Sequence, residues 1–337
     1  MNNDYVPKEI SSLLNLIDTY KRWDRLKNNN RKYESYHPSE WGKCLRQQQY
    51  KHYTEKGLIE VPYGVISSQH LRLFDKGHFM HRRWVSYFND IGILRGKWQC
   101  LNPACFLFDD NGQVKKKLSN EDKKKIIRKN KTRLHGKEDK HGIFRPKECV
   151  CGCSQFGYEE VSVIDKKINI RGHCDVLLDC STLDPKKFED VRVTFDPKFL
   201  PINGKILVGD MKSIGQSSWD YNLMRKKEPH KYYVIQLISY IHILDVDYGV
   251  LMYENKNTSE MKWYKIERND KWWNVIKWQA EKMIEMTENK ELPPPRPKDK
   301  TNYDCKNCEY KSLCHKSGIW KDPNLEQKRK NFYKCLL

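Results

Sequence analysis

The run Ile206-Leu207-Val208-Gly209-Asp210-Met211-Lys212-Ser213 decides the fold. An aliphatic stretch delivers an acid and, two residues on, a lysine, and the two-residue period of a strand sets both on one face. Phosphodiester hydrolysis calls for such a pair. Carboxylates hold a divalent cation that polarises the phosphoryl oxygen and lowers the pKa of the attacking water, and a nearby ammonium orients that water. An acid-x-Lys pair is also common on solvated strand faces, so its neighbours carry the weight.

Upstream, Arg171-Gly172-His173-Cys174-Asp175-Val176-Leu177-Leu178 embeds an acid at the start of another apolar strand, where a charge is costly without a partner or a metal. Together with Asp210 it makes a two-carboxylate site for Mg²⁺ or Mn²⁺, hard cations that prefer oxygen; the alternative is an exposed acid at a strand end. β-Prone segments at 159–164, 168–180 and 204–213 predict the central sheet. A helix over 231–244, strands over 248–255 and 261–267 and a long helix over 271–289 follow, and Pro293-Pro294-Pro295-Arg296-Pro297 ends that helix. Helical spacing over 10–25 and 69–87 makes the N-terminal quarter helical. The lysine-rich stretch between Cys105 and Cys149 is poor in large apolar residues and reads as an exposed insertion. Four regions result: 1–95 helical, 96–158 a cysteine-rich basic insertion, 159–265 the core, and 266–337 a helix and tail.

Among the 337 residues, 63 Lys and Arg stand against 44 Asp and Glu, a formal charge of +19 that favours a polyanionic partner, with nucleic acid first. A merely lysine-rich soluble surface is the plainer alternative. No apolar run approaches the roughly 20 residues that cross a bilayer, and the start lacks a basic, apolar leader, so a cytoplasmic protein without a membrane partner is expected. The 12 cysteines of such a chain read as metal ligands rather than disulfides. Cys305, Cys308 and Cys314 form a C-x2-C-x5-C array, one thiol short of a four-coordinate site, and zinc or an iron-sulphur cluster suits it equally. Cys100 and Cys105 with Cys149 and Cys151 form a zinc-ribbon-like clip across the insertion, with Cys153 able to replace either of the last two and free thiols as the alternative. Cys174, Cys180 and Cys335 stay unassigned, Cys174 pointing into the core. Trp219 and Arg225-Lys226-Lys227 follow the acid-x-Lys strand and are the expected nucleic-acid contacts.

Four motifs occur here in the order in which RecB-like exonucleases of the PD-(D/E)XK superfamily carry them: Gly77 to His81, Gly172 to Asp175, Asp210 to Lys212, and Gln236 to Tyr240. The chain resembles that family, including CRISPR-associated exonucleases and similar phage proteins. The resemblance implies an α/β, restriction-endonuclease-like core, a mixed sheet flanked by helices, with a zinc-ribbon-like insertion and an iron-sulphur tail. It implies that His81, Asp175, Asp210 and the Met211 carbonyl bind Mg²⁺ or Mn²⁺, that Lys212 and Gln236 position water or phosphate, and that Tyr240 supports them. It also implies that Cys44 joins Cys305, Cys308 and Cys314 around a 4Fe-4S cluster. The expected activity is a metal-dependent DNA nuclease, an exonuclease in phage-type DNA processing, recombination or repair, with DNA and recombination or replication proteins as partners. A non-cleaving, zinc-bearing DNA-binding accessory protein is the rival, and RNA is an alternative substrate.

Overall fold

The computed structural model describes residues 12–28, 34–60, 67–115, 119, 121–122, 132–183 and 205–336; the most basic part of the insertion lies outside them. Among the described residues, ten strands and the helices around them form a mixed α/β fold. The strands are β1 (Leu94–Cys100), β2 (Leu134–His135), β3 (Ile143–Phe144), β4 (Phe156–Glu159), β5 (Val161–Asp165), β6 (Ile170–Cys174), β7 (Val176–Asp179), β8 (Ile206–Ile214), β9 (Tyr248–Asn255) and β10 (Met261–Glu267). The large sheet runs β10-β9-β8-β7-β1-β2, with β3 and β4 also on β1. Only the β8–β9 pair in it is parallel; the others are antiparallel. β5 and β6 form a separate hairpin.

The main helices are α1 (Ser12–Asn28), α2 (Pro38–Trp41), α3 (Leu45–Glu55), α4 (Ser68–Ile91), α5 (Lys231–Leu244), α6 (Asp270–Glu288) and α7 (Leu325–Tyr333). Alternation along β8 sorts its neighbours into two layers. Leu207 and Met211 join Met80 and Phe88 of α4 on one face. Val208 joins Ile235, Leu237 and Ile241 of α5 and Ile276 and Met283 of α6 on the other. Gly209 permits this: a Cβ there would stand 2.5 Å from both Met252 Cε and Val176 Cγ2. The ends of α4 follow local chemistry, since the Ser67 hydroxyl accepts from His70 N and Gly92 closes the helix at φ 90°.

Three findings differ from the sequence expectations. The segment 168–180 is two strands rather than one; the chain leaves the β5–β6 hairpin and enters the main sheet at Asp175. The boundary at 95/96 falls inside β1, which pairs with β7, so the insertion grows out of the central sheet. Trp219, expected on the surface, is 4% exposed and packs in the core, because Trp219–Arg225 winds as a π-helix against the sheet. Arg225, Lys226 and Lys227 are exposed.

Candidate active site

Asp210 and Lys212 point from β8 towards α5. Asp210 is 1% exposed, and Lys212 Nζ lies 2.9 Å from both of its carboxylate oxygens while donating a hydrogen bond only to Oδ1. Gln236 Nε2 donates to the same Oδ1 at 3.0 Å and to Tyr240 Oη at 2.8 Å, because α5 sets positions 236 and 240 one turn apart. Two acceptors remain buried without a hydrogen bond, Asp210 Oδ2 and Gln236 Oε1. From the other face α4 lowers His81, whose Nε2 sits 3.0 Å from the Met211 carbonyl oxygen. Met211 N donates to Asp175 Oδ2 at 2.6 Å, and Asp175 Oδ1 is 3.8 Å from His81 Nδ1. His81, Asp175, Asp210, the Met211 carbonyl, Lys212, Gln236 and Tyr240 therefore converge at one point of the sheet. Two carboxylates, an imidazole and a backbone carbonyl are donor types that suit a hard divalent cation, and Asp210 Oδ2 is held by the Lys212 ammonium at 2.9 Å.

Burial pushes the Asp210 carboxyl up to about 7 against the opposing pull of Lys212, with Asp175 adding to the rise. Burial works to neutralise Lys212 as well, but Asp210 and Asp175 outweigh it and its pKa is raised. An acid whose pKa is raised by folding binds its proton more tightly in the native state. Its cost is absent below the unfolded value near 4 and complete above about 7. The metal-free protein is thus expected to lose melting temperature from about pH 4 to 7 relative to Asp210→Asn, and Mn²⁺ to restore it by an increment that grows across that window. Melting curves that stay parallel for the two proteins at every pH, with and without Mn²⁺, would contradict this.

The cysteines fall into two assemblies of different width. The sulphurs of Cys100, Cys105, Cys149 and Cys151 all lie within 4.8 Å of one another, with Cys100–Cys151 and Cys105–Cys149 at 3.6 Å. Cys153 lies outside this set and is held against Gln155. Cys44, Cys305, Cys308 and Cys314 line one cavity of about 360 Å³, together with Arg46, Tyr232 and Arg296. No three of these four sulphurs come within 4.8 Å of one another, so their spacing is wider than that of the first set. Burial pushes Cys305 up to about 12 and Cys308 to about 11, reinforced by the facing cysteines. Arg46, 5% exposed, donates to Pro293 O and Ser317 Oγ, while Arg296 N donates to Cys44 Sγ at 3.4 Å.

The distant likenesses are faint. No family model and no curated protein matches the chain. Among solved structures, the crystal structure of SSO0001 is 13% identical with a TM-score of 0.40, over 90% of this chain and 95% of that one. An alkaline exonuclease from Laribacter hongkongensis is 11% identical with a TM-score of 0.28, over 39% of this chain and 57% of that one, and its complex with dAMP is 10% identical. Scores of this size carry no inference about this chain. No helix among the described residues is long and apolar enough to cross a membrane.

Sequence motifs did not single out Glu160. The β5–β6 register pairs Val161 with Cys174, which sets Glu160 opposite Asp175 where the two segments cross between hairpin and sheet. Glu160 is open to solvent, yet enough protein surrounds its carboxyl that burial, then Asp175 and Asp210, push it up to about 7. Its only sequence signal is a glutamate directly before an alternating strand. His135 was missed likewise; its Nε2 sits 3.3 Å from Cys149 Sγ.

Proposed function

We propose that the chain is a Mg²⁺- or Mn²⁺-dependent DNA nuclease of the RecB-like PD-(D/E)XK type, acting as an exonuclease in phage-type DNA processing, recombination or repair. One observation carries the reading: residues from four separated segments meet around a buried Asp210 whose Oδ2 has no hydrogen bond. His81, Asp175, Asp210 and the Met211 carbonyl would hold the cation, which supplies Lewis-acid polarisation of the phosphate. Lys212, fixed by Asp210, places a positive charge where the scissile phosphate and water meet. Gln236 offers its unpaired Oε1 to the water's O–H, and Tyr240 fixes that amide by accepting from its Nε2. The closely set Cys100, Cys105, Cys149 and Cys151 fit one zinc ion, and the wider Cys44, Cys305, Cys308 and Cys314 cavity fits a four-iron cluster.

The test is cleavage of end-labelled single- and double-stranded DNA by anaerobically purified protein with Mn²⁺, Mg²⁺ or EDTA, beside metal analysis and a visible spectrum. Metal-dependent release of nucleotides from ends supports the reading. Binding without cleavage under any metal, with zinc alone in the protein, replaces it with the accessory DNA-binding protein.

Glu160 yields a graded prediction. Its place opposite Asp175 and its charge interaction with Asp175 and Asp210 make it an electrostatic neighbour of the proposed cation site, so Glu160→Gln is expected to lower cleavage about tenfold and to shift the Mn²⁺ concentration for half-maximal rate upward. Titration of rate against Mn²⁺ checks this; an unaltered curve removes Glu160 from the site.

A further inference from the structure

The packed helix pair α1 and α4 presents apolar rings to solvent: Tyr20 is 55% exposed, Trp23 53%, Phe74 47% and Phe79 64%. Three of them stand beside a cation. Lys27 Nζ is 4.8 Å from the Trp23 ring centre, the Arg25 guanidinium 6.0 Å from Phe74, and that of Arg82 4.8 Å from Phe79. Two acids of the pair are taken up between the helices, as Lys21 pairs with Asp75 at 2.9 Å and Arg72 pairs with Asp18. Arg22, Arg25, Lys27, Lys76 and Arg82 are left on exposed positions.

We infer that the exposed rings of this helix pair are a stacking platform for single-stranded DNA. Exposed rings with adjacent cations match a strand whose unpaired bases offer faces to stack on and whose phosphates need counter-charges. A duplex keeps its base faces inside the stack and offers phosphates and edges only. An apolar partner protein would have to desolvate a cation beside each ring, which disfavours it. This binding stands independently of the nuclease reading.

The test is anisotropy of labelled oligothymidylate in EDTA, where no cleavage occurs, with a duplex of equal length measured in parallel. Trp23→Ala and Phe79→Ala are each expected to weaken single-strand binding about tenfold, the double variant further, with duplex affinity within about twofold of wild type. Trp23→Phe, which keeps a ring, is expected to retain binding. The rings are exposed, so circular dichroism should match wild type. Unchanged single-strand affinity, or equal loss on both DNAs, overturns the platform; so does a change in sedimentation of these variants without a change in DNA affinity, which would mark contact between copies. Wild type that binds through the rings but never cuts with Mn²⁺ sinks the nuclease reading alone. Cutting that coexists with unchanged variant affinity sinks the platform alone.

Discussion

Asp210→Asn and Lys212→Ala are each expected to reduce Mn²⁺-dependent DNA cleavage about a thousandfold or more, the scale on which several kcal/mol of charge stabilisation is removed from a phosphoryl-transfer transition state. Asn keeps the shape of Asp210 and can still meet Gln236, but it removes the anionic ligand and the charge that fixes Lys212. The loss should therefore appear without unfolding. Burial raises the Asp210 pKa, so the stability difference between the metal-free proteins is expected to shift in favour of Asp210→Asn as pH rises from about 4 to 7. Lys212→Ala leaves Asp210 without its ion pair, and the site should then take Mn²⁺ while failing to turn over. Calorimetric Mn²⁺ binding beside single-turnover cleavage separates the two variants. Cleavage within tenfold of wild type in either one would move the chemistry away from this strand.

On the proposed zinc assignment, Cys149→Ser is expected to abolish metal binding by the inserted module and to lower the melting temperature by on the order of 10 °C or more. Structural zinc contributes on the order of 10 kcal/mol in small domains; expressing about half of that, at about 2–4 °C per kcal/mol, gives this scale. The size follows from how little else holds the module. Its own buried cluster is Cys100, Cys105 and Cys149, with Cys151, Cys153 and Phe156 packed against it, far less apolar surface than the two main cores. The damage should spread, because β1 ends in Cys100 and is hydrogen-bonded to β7 of the central sheet. Cys153→Ser is the control and should leave zinc content and melting unchanged, its sulphur being engaged with Gln155. Zinc retained at one per chain in Cys149→Ser would move the metal site elsewhere.

Local pattern alone made much of the fold legible. The predicted 231–244, 248–255 and 261–267 elements coincide with α5, β9 and β10, because length separates a long apolar helix from short apolar or alternating strands and their ends carry turn residues. β1 was not singled out, since Arg95 and Lys97 alternate with its buried residues and make a core strand look like a basic surface run. The break at Asp175 was hidden for a different reason: both halves of 168–180 are β-prone, and only partner strands decide that one half belongs to a hairpin and the other to the sheet. Trp219 went astray because a tryptophan after a functional strand has the same composition signal whether it stacks outward or packs inward.

By itself the sequence determined the alternation that puts Asp210 and Lys212 on one face, the helical turn that joins Gln236 to Tyr240, and the cysteine types available for metals; these depend on covalent spacing and backbone period. Tertiary structure alone decided which distant groups share a space: His81 over the Met211 carbonyl, Glu160 across from Asp175, Cys153 outside the tight sulphur set, and the α1–α4 rings left in solvent. Those outcomes depend on how layers pack and which strands pair, and contacts between residues far apart in the chain leave no periodic trace in it.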